Sequence, residues 1–271
     1  MIGGLKAVVF DWAGTMIDHG SRAPVVALQR VFAEAGIEIS EAEARADMGR
    51  AKRDHIGRIL ATPRVAAEWR AKHGTDAEPA DVDALHDAIE PMMRAAAADC
   101  AILIPGAADI AARVKAAGLR IGSCTGYTRT MMADILLRAA AQGYEPEIVI
   151  CSGETAQGRP SPLMLWKILV ELGVWPAAAC VKVDDAAVGI REGREAGVWT
   201  VGITASGNGV GLDLDALEAL PADERAARIA AAGAELEAAG AHYLIDSVAD
   251  LWPVLETIGA RVAAGERPQT G

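Results

Sequence analysis

Two short stretches of this chain hold side chains able to do covalent chemistry. In Val8-Val9-Phe10-Asp11-Trp12-Ala13-Gly14-Thr15, a carboxylate stands at the end of an apolar, β-branched run, followed at once by Gly and Thr. Such an Asp either caps the next turn or presents a nucleophile at the ligand-binding edge of a sheet. The second stretch is Met48-Gly49-Arg50-Ala51-Lys52-Arg53-Asp54-His55, where the pattern predicts a helix. Met48, Lys52 and His55 then share one face, with Ile56 and Ile59 nearby, because residues three and four apart are helix neighbours. The alternative is a solvated basic turn. An amine on an apolar face has a lowered pKa, since desolvation disfavours the ammonium form. A neutral amine attacks a carbonyl to form a Schiff base, which once protonated accepts the electrons of a breaking bond beside it.

The first stretch resembles the D-x-D-G-T signature of the haloacid dehalogenase superfamily of phosphotransferases. Three further segments match that superfamily's remaining motifs in order: Ser123-Cys124-Thr125-Gly126, Gly158-Arg159-Pro160 and Asp184-Asp185. The resemblance implies Asp11 as nucleophile, Thr125 as a phosphoryl-binding hydroxyl, Arg159 as the site's cation and Asp185 as a metal-binding acid. A carboxylate attacking an anionic phosphorus centre is repelled by it, so Mg²⁺ must bridge the two. Mg²⁺ keeps several waters, so Asp11, Asp185 and one backbone carbonyl suffice from the protein. The resemblance points to the carbonyl of Ala13. Asp184 reads either as an acid behind the metal ligands or as part of the turn.

One position departs from the superfamily pattern. Its phosphatases carry a second Asp two residues after the nucleophile, which protonates the leaving alkoxide. Here that place is Ala13. A carbon leaving group that departs as an enamine needs no such acid, so Ala13 and Lys52 explain each other. The combination resembles the phosphonoacetaldehyde hydrolase family, the phosphonatases. The match includes Gly20 with Ala23-Pro24, Met48-Gly49 with Lys52 and His55, Thr125-Gly126-Tyr127-Thr128-Arg129, Glu192-Gly193, and Trp199-Thr200-Val201-Gly202. It implies that Lys52 condenses with the aldehyde of phosphonoacetaldehyde while Asp11 attacks phosphorus, with Thr125, Gly126, Arg159 and Gly49 on the phosphonate. His55, Tyr127 and Met48 are candidates for proton handling, with packing as the alternative for Met48; Gly49 is otherwise a tolerated helix glycine. Ser21 and Gly189 stand where some relatives carry Cys and an acid. A homodimer meeting through the helical caps is also implied. Two rivals compete. A phosphate monoester hydrolase or mutase should have an acid at position 13 and no need of Lys52. A non-catalytic phosphoacceptor module would tolerate loss of Arg159 or Lys52.

These residues must be held by elements that the apolar pattern outlines. Five short β-branched runs, at 5–10, 119–124, 147–150, 180–183 and 199–203, read as buried strands, with a possible sixth at 242–245. Helical stretches at 107–117, 130–142, 162–172 and 187–196 lie between them, and 212–239 is helical but punctuated by Pro221. Several end on Gly just before a strand, at Gly118, Gly173 and Gly197. Strand–helix alternation argues for an α/β fold: a doubly wound, Rossmann-like parallel sheet covered on both faces. From about 20 to 99 only helical patterns occur, at 23–35, 41–60 and 80–98. The sequence therefore predicts a core of 1–19 and 100–271 with an all-helical cap domain, 20–99, over the sheet's carboxyl edge. The tail 265–271 reads as frayed.

Composition narrows the partners. With 26 basic and 37 acidic residues the chain carries a formal charge of −11, a poor balance for nucleic acid or for anionic membrane surfaces. No signal segment or membrane span is legible. Four scattered cysteines suggest no disulfide framework, and three of them read as small apolar residues near strand ends. These features predict a cytoplasmic protein acting on a small molecule. Trp12 and Trp69 receive no role beyond packing.

Overall fold

A computed structural model describes residues 2–268. Its six strands are β1 (Ala7–Phe10), β2 (Arg120–Cys124), β3 (Ile148–Ile150), β4 (Cys180–Asp184), β5 (Trp199–Ile203) and β6 (Tyr243–Ile245). They form one sheet in the order β3-β2-β1-β4-β5-β6, parallel throughout. Five helices separate β1 from β2: α1 (Arg22–Glu34), α2 (Glu41–Arg45), α3 (Lys52–Ala61), α4 (Pro63–His73) and α5 (Pro79–Cys100). The rest are α6 (Ala107–Ala116), α7 (Arg129–Ala141), α8 (Leu163–Glu171), α9 (Ala187–Ala196), α10 (Leu214–Glu218), α11 (Ala222–Ala238) and α12 (Leu251–Ala263).

The predicted doubly wound sheet is present, and both its faces are covered. Alternate side chains of β1 divide between them, as the strand period requires. Ala7 and Val9 pack with Ile168 of α8 and Ala196 of α9. Val8 and Phe10 join the larger cluster with Ile110 of α6, Met131 of α7 and Leu255 of α12. That cluster continues through Trp12 and Tyr127 into Leu28, Ile56 and Ile89 of the helical segment. Trp12 is fully buried with its ring edge-on to Tyr144, at 5.1 Å between centroids. Trp69 stacks on His73 within α4.

The glycine stops at 118, 173 and 197 all have positive φ, at 80°, 64° and 75°, the left-handed conformation that a terminating residue needs. Pro221 precedes α11 and separates it from α10. The expected continuous helix at 41–60 is two helices, and this corrects the sequence reading. Gly49 adopts φ +88° and Ala51 has ψ 133°, so the chain turns between α2 and α3. The expected frayed tail lies partly outside the described residues.

The helical segment joins the sheet by two linkers that run side by side. Ile17 and Leu103 form an antiparallel bridge. The N–H of Asp18 donates to the Ile102 carbonyl at 3.1 Å, and that of Ile104 to the Met16 carbonyl at 2.9 Å.

Candidate active site

The central strands β2, β1 and β4 are neighbours, so the residues just beyond their carboxyl ends converge. Asp11 follows β1, Thr125 follows β2, and Asp184 and Asp185 close β4. Ligands of open parallel sheets bind at this edge, where the strand order switches direction. Oxygen atoms of Asp11, Asp184 and Asp185 all lie within 4.8 Å of one another, and all three residues are buried. The turn after β1 approaches this closely because Gly14 has no side chain. Its φ is +79°, and a Cβ there would fall 2.1 Å from Asp185 Oδ2.

Arg159, from the loop before α8, reaches in from the side. Its Nη1 donates to Asp11 Oδ1 at 2.7 Å and its Nη2 to the Cys124 carbonyl at 2.7 Å. Behind it lies a second buried pair. Lys182 of β4 places Nζ 2.9 Å from Asp184 Oδ2, and Glu192 of α9 places Oε2 3.0 Å from Arg159 Nε. Four carboxylates, Asp11, Asp184, Asp185 and Glu192, thus face two cations, Arg159 and Lys182. With all six ionised the cluster carries −2. Burial first, and then mutual repulsion, push the carboxyls of Asp11 and Asp185 upward. A divalent cation would neutralise this imbalance, and an all-oxygen donor set suits a hard ion such as Mg²⁺. The residues therefore fit a metal.

Lys52 opens α3 and is only 2% exposed. Burial lowers its pKa to about 8, against the opposing pull of the Asp11 charge. Its Nζ lies 3.8 Å from Met48 Sδ and 5.4 Å from the centre of the Tyr127 ring. A narrow cleft joins these elements; its walls include Asp11, Ala13, Ser21, Met48, Gly49, Lys52, Thr125, Gly126, Tyr127 and Asp185. The loop between α2 and α3 crosses the loop after β2 in near contact. A Cβ on Gly126 would stand 2.4 Å from the Arg50 carbonyl, and one on Gly49 would stand 2.8 Å from Val188 Cγ2.

A haloacid dehalogenase-like hydrolase model matches residues 5–197. The phosphonoacetaldehyde hydrolase of Paraburkholderia xenovorans is 51% identical over 264 residues, which cover 97% of this chain and 99% of that protein. The chain belongs to the phosphonoacetaldehyde hydrolase family. The relative from Nitratidesulfovibrio vulgaris bearing the same name is 45% identical, over 98% of this chain and 95% of its own. A solved structure of a phosphonoacetaldehyde hydrolase-like protein from Oleispira antarctica superposes with a TM-score of 0.97 at 42% identity, covering 98% and 97% of the two chains.

Among the residues that the phosphonoacetaldehyde hydrolase motifs single out, ten converge. Asp11, Ala13, Met48, Gly49, Lys52, Thr125, Gly126, Tyr127 and Asp185 line the cleft, and Arg159 bonds Asp11 from behind. His55 is not on the wall. It is fully buried one turn beyond Lys52, and burial, with the Lys52 charge adding to it, lowers its pKa to about 2. The helical spacing expected for Met48 and Lys52 is absent, yet the turn at Gly49 still brings their ends together. Burial raises the Tyr127 hydroxyl well above the usual phenol range. Asp184 is within the cluster rather than merely in the turn, although its Oδ1 also accepts the Ala186 N–H at 3.0 Å. Gly189 leaves room for it, since a Cβ there would fall 2.0 Å from Asp184 Oδ2.

Sequence reasoning passed over Lys182 and the polar surroundings of Cys124, and it quoted Glu192 in the family match without giving it a role. The Cys124 thiol lies 3.2 Å from both Arg159 Nη2 and Lys182 Nζ, so it is not the purely apolar filler expected. A lysine in the middle of an otherwise apolar buried run, Cys180-Val181-Lys182-Val183, was the available signal. A buried charge has to be paired.

Proposed function

We propose that this chain hydrolyses the carbon–phosphorus bond of phosphonoacetaldehyde, giving acetaldehyde and phosphate. The observation that carries the reading is a buried amine of lowered pKa, Lys52, facing a buried carboxylate, Asp11, across one small cleft with no acid at position 13. Lys52 Nζ, as the neutral amine, adds to the aldehyde carbon and expels water to form an imine. An oxygen of Asp11 attacks phosphorus from the side opposite carbon. As the C–P bond breaks, its electron pair flows into the protonated imine and leaves an enamine. Protonation at carbon and addition of water release acetaldehyde and restore Lys52. A second water cleaves the aspartyl phosphate, restoring Asp11.

In this reading Asp11, Asp185 and the Ala13 carbonyl hold Mg²⁺, which when bound offsets the repulsion between carboxylate and phosphonate. Arg159 orients Asp11, while Thr125, Gly126 and Gly49 surround the phosphonate oxygens. His55, held neutral by burial, and Tyr127 support the imine end, and the Met48 sulfur packs against the amine. The segment 20–99 acts as a cap domain whose loop at 46–51 completes the cleft. The same reading includes a homodimer through the caps and a cytoplasmic location. No described helix is long and apolar enough to cross a membrane.

The test is borohydride reduction in the presence of phosphonoacetaldehyde, followed by peptide mapping. A two-carbon adduct on Lys52 is the expected outcome, and Lys52→Arg should release no phosphate above background. Phosphate release by Lys52→Arg at the parent rate would overturn the imine mechanism.

A further inference from the structure

The contact between α2 and the loop after β5 is not used by the chemistry above, yet it ends on a metal-site carboxylate. Arg45, the last residue of α2, reaches across to the core with a side chain only 13% exposed. Its Nη1 donates to the Gly20 carbonyl at 2.9 Å and to Asn208 Oδ1 at 3.0 Å, and its Nη2 donates to the Gly211 carbonyl at 2.9 Å. Asn208 in turn donates its backbone N–H to Asp185 Oδ2 at 2.7 Å.

The chain is shaped for this arrangement on both sides. Ser40 caps α2, accepting the Glu43 N–H at 3.2 Å, while Glu43 Oε2 accepts the Ser40 N–H at 2.8 Å. This reciprocal box fixes the short helix. Opposite, Gly211 has φ +75°, and a Cβ there would fall 2.8 Å from Arg45 Cζ. A Cβ on Gly207 would fall 2.7 Å from the Asp185 Cβ. The same loop also holds the first linker, since Ser206 Oγ donates to the Gly14 carbonyl at 3.0 Å and the Gly20 N–H donates to the Ser206 carbonyl at 2.8 Å.

We propose that Arg45 is a positioning residue that ties the docking of the helical segment to the orientation of the Asp185 carboxylate, through Asn208. With Arg45 seated, the loop at 206–211 is pinned and its Asn208 N–H keeps one Asp185 oxygen engaged. The carboxylate is thereby held in one orientation. Without Arg45 the Asn208 side chain and two buried carbonyls lose their donor, the loop loosens, and Asp185 presents a less ordered ligand. Partners of metal ligands commonly change affinity about 10–100-fold when removed. The inference rests on Asp185 being a metal ligand.

The experiment is direct titration with Mn²⁺, followed by spin resonance of the free ion, on the full-length protein without substrate. Arg45→Gln should bind Mn²⁺ about tenfold more weakly than the parent. Glu41→Gln, which removes only the surface partner of Arg45, should bind like the parent. Asn208→Ala keeps the backbone N–H and should weaken binding by about threefold or more, with the double variant no weaker than Arg45→Gln, as for two residues acting through one path. Asn208→Ala carries the test alone where Arg45→Gln does not fold. Parent-like binding by either variant overturns the proposal, as does a Glu41→Gln loss equal to that of Arg45→Gln. Asp185→Asn separates the two readings. If it too binds like the parent, Asp185 is not a ligand and both readings fall. If it loses Mn²⁺ while Arg45→Gln does not, only the proposal falls.

Discussion

Lys52 is the side chain whose surroundings most constrain the chemistry. Its pKa is lowered to about 8 because burial penalises the ammonium, and the Asp11 charge works the other way. Imine formation uses the neutral amine, so the rate of borohydride trapping should fall as pH drops below about 8, by about tenfold per unit once the ammonium dominates. Removing the Asp11 charge removes the opposing pull. In Asp11→Asn the midpoint of the trapping profile should therefore move to lower pH, while phosphate release is lost. A midpoint that stayed in place would show that Asp11 does not face the amine. Most of the site's residues were legible at this scale because each sits within a few residues of a strand end, which the apolar runs mark. Lys182 and Glu192 were not. Their partners come from β2, the loop before α8 and β4 itself, and only the strand order brings these together.

At the level of elements, the loop between α2 and α3 decides whether the amine meets the carboxylate. The sequence reading carried a helix straight through it, because the spacing of Met48, Lys52 and His55 suits one and Gly within a helix costs only about 1 kcal/mol. The structure places Gly49 at positive φ, which breaks the helix and lays the loop against Gly126 and Val188. Gly126→Ala sets a methyl 2.4 Å from a backbone carbonyl, so the two loops must part. A displacement of this order costs about 10²-fold in turnover. We expect that loss from Gly126→Ala in a phosphate-release assay, with a melting temperature close to the parent's, since both contacts lie in loops at the cleft. A large fall in melting temperature with unchanged turnover of the folded fraction would contradict it. The sheet, by contrast, was readable almost strand for strand. Strands buried on both faces give continuous apolar runs, whereas a turn depends on one residue's φ.

Across the whole molecule, charge operates on two scales. The formal −11 of the whole chain disfavours polyanionic partners. The buried cluster, −2 when all six groups are ionised, is local and calls for a small cation. Saturating Mg²⁺ should stabilise the fold, by about 2.7 kcal/mol at a hundred times its Kd, and raise the melting temperature by several degrees in scanning calorimetry. Chelation should reverse this and abolish phosphate release while leaving Lys52 open to borohydride trapping. An unchanged melting temperature would remove the cation from its assigned place.

The paired linkers have a mechanical consequence. A body hung from one linker can swing and twist in any direction, but the helical segment hangs from two, which are bonded to each other through the Ile17–Leu103 bridge and its flanking hydrogen bonds. Twisting one past the other would break those bonds, whereas turning about the line through both attachments leaves them intact. Turning about that line is therefore the displacement that leaves the linker hydrogen bonds unbroken. In such a turn the contacts that cross the cleft, from Lys52 to Arg45, would part together.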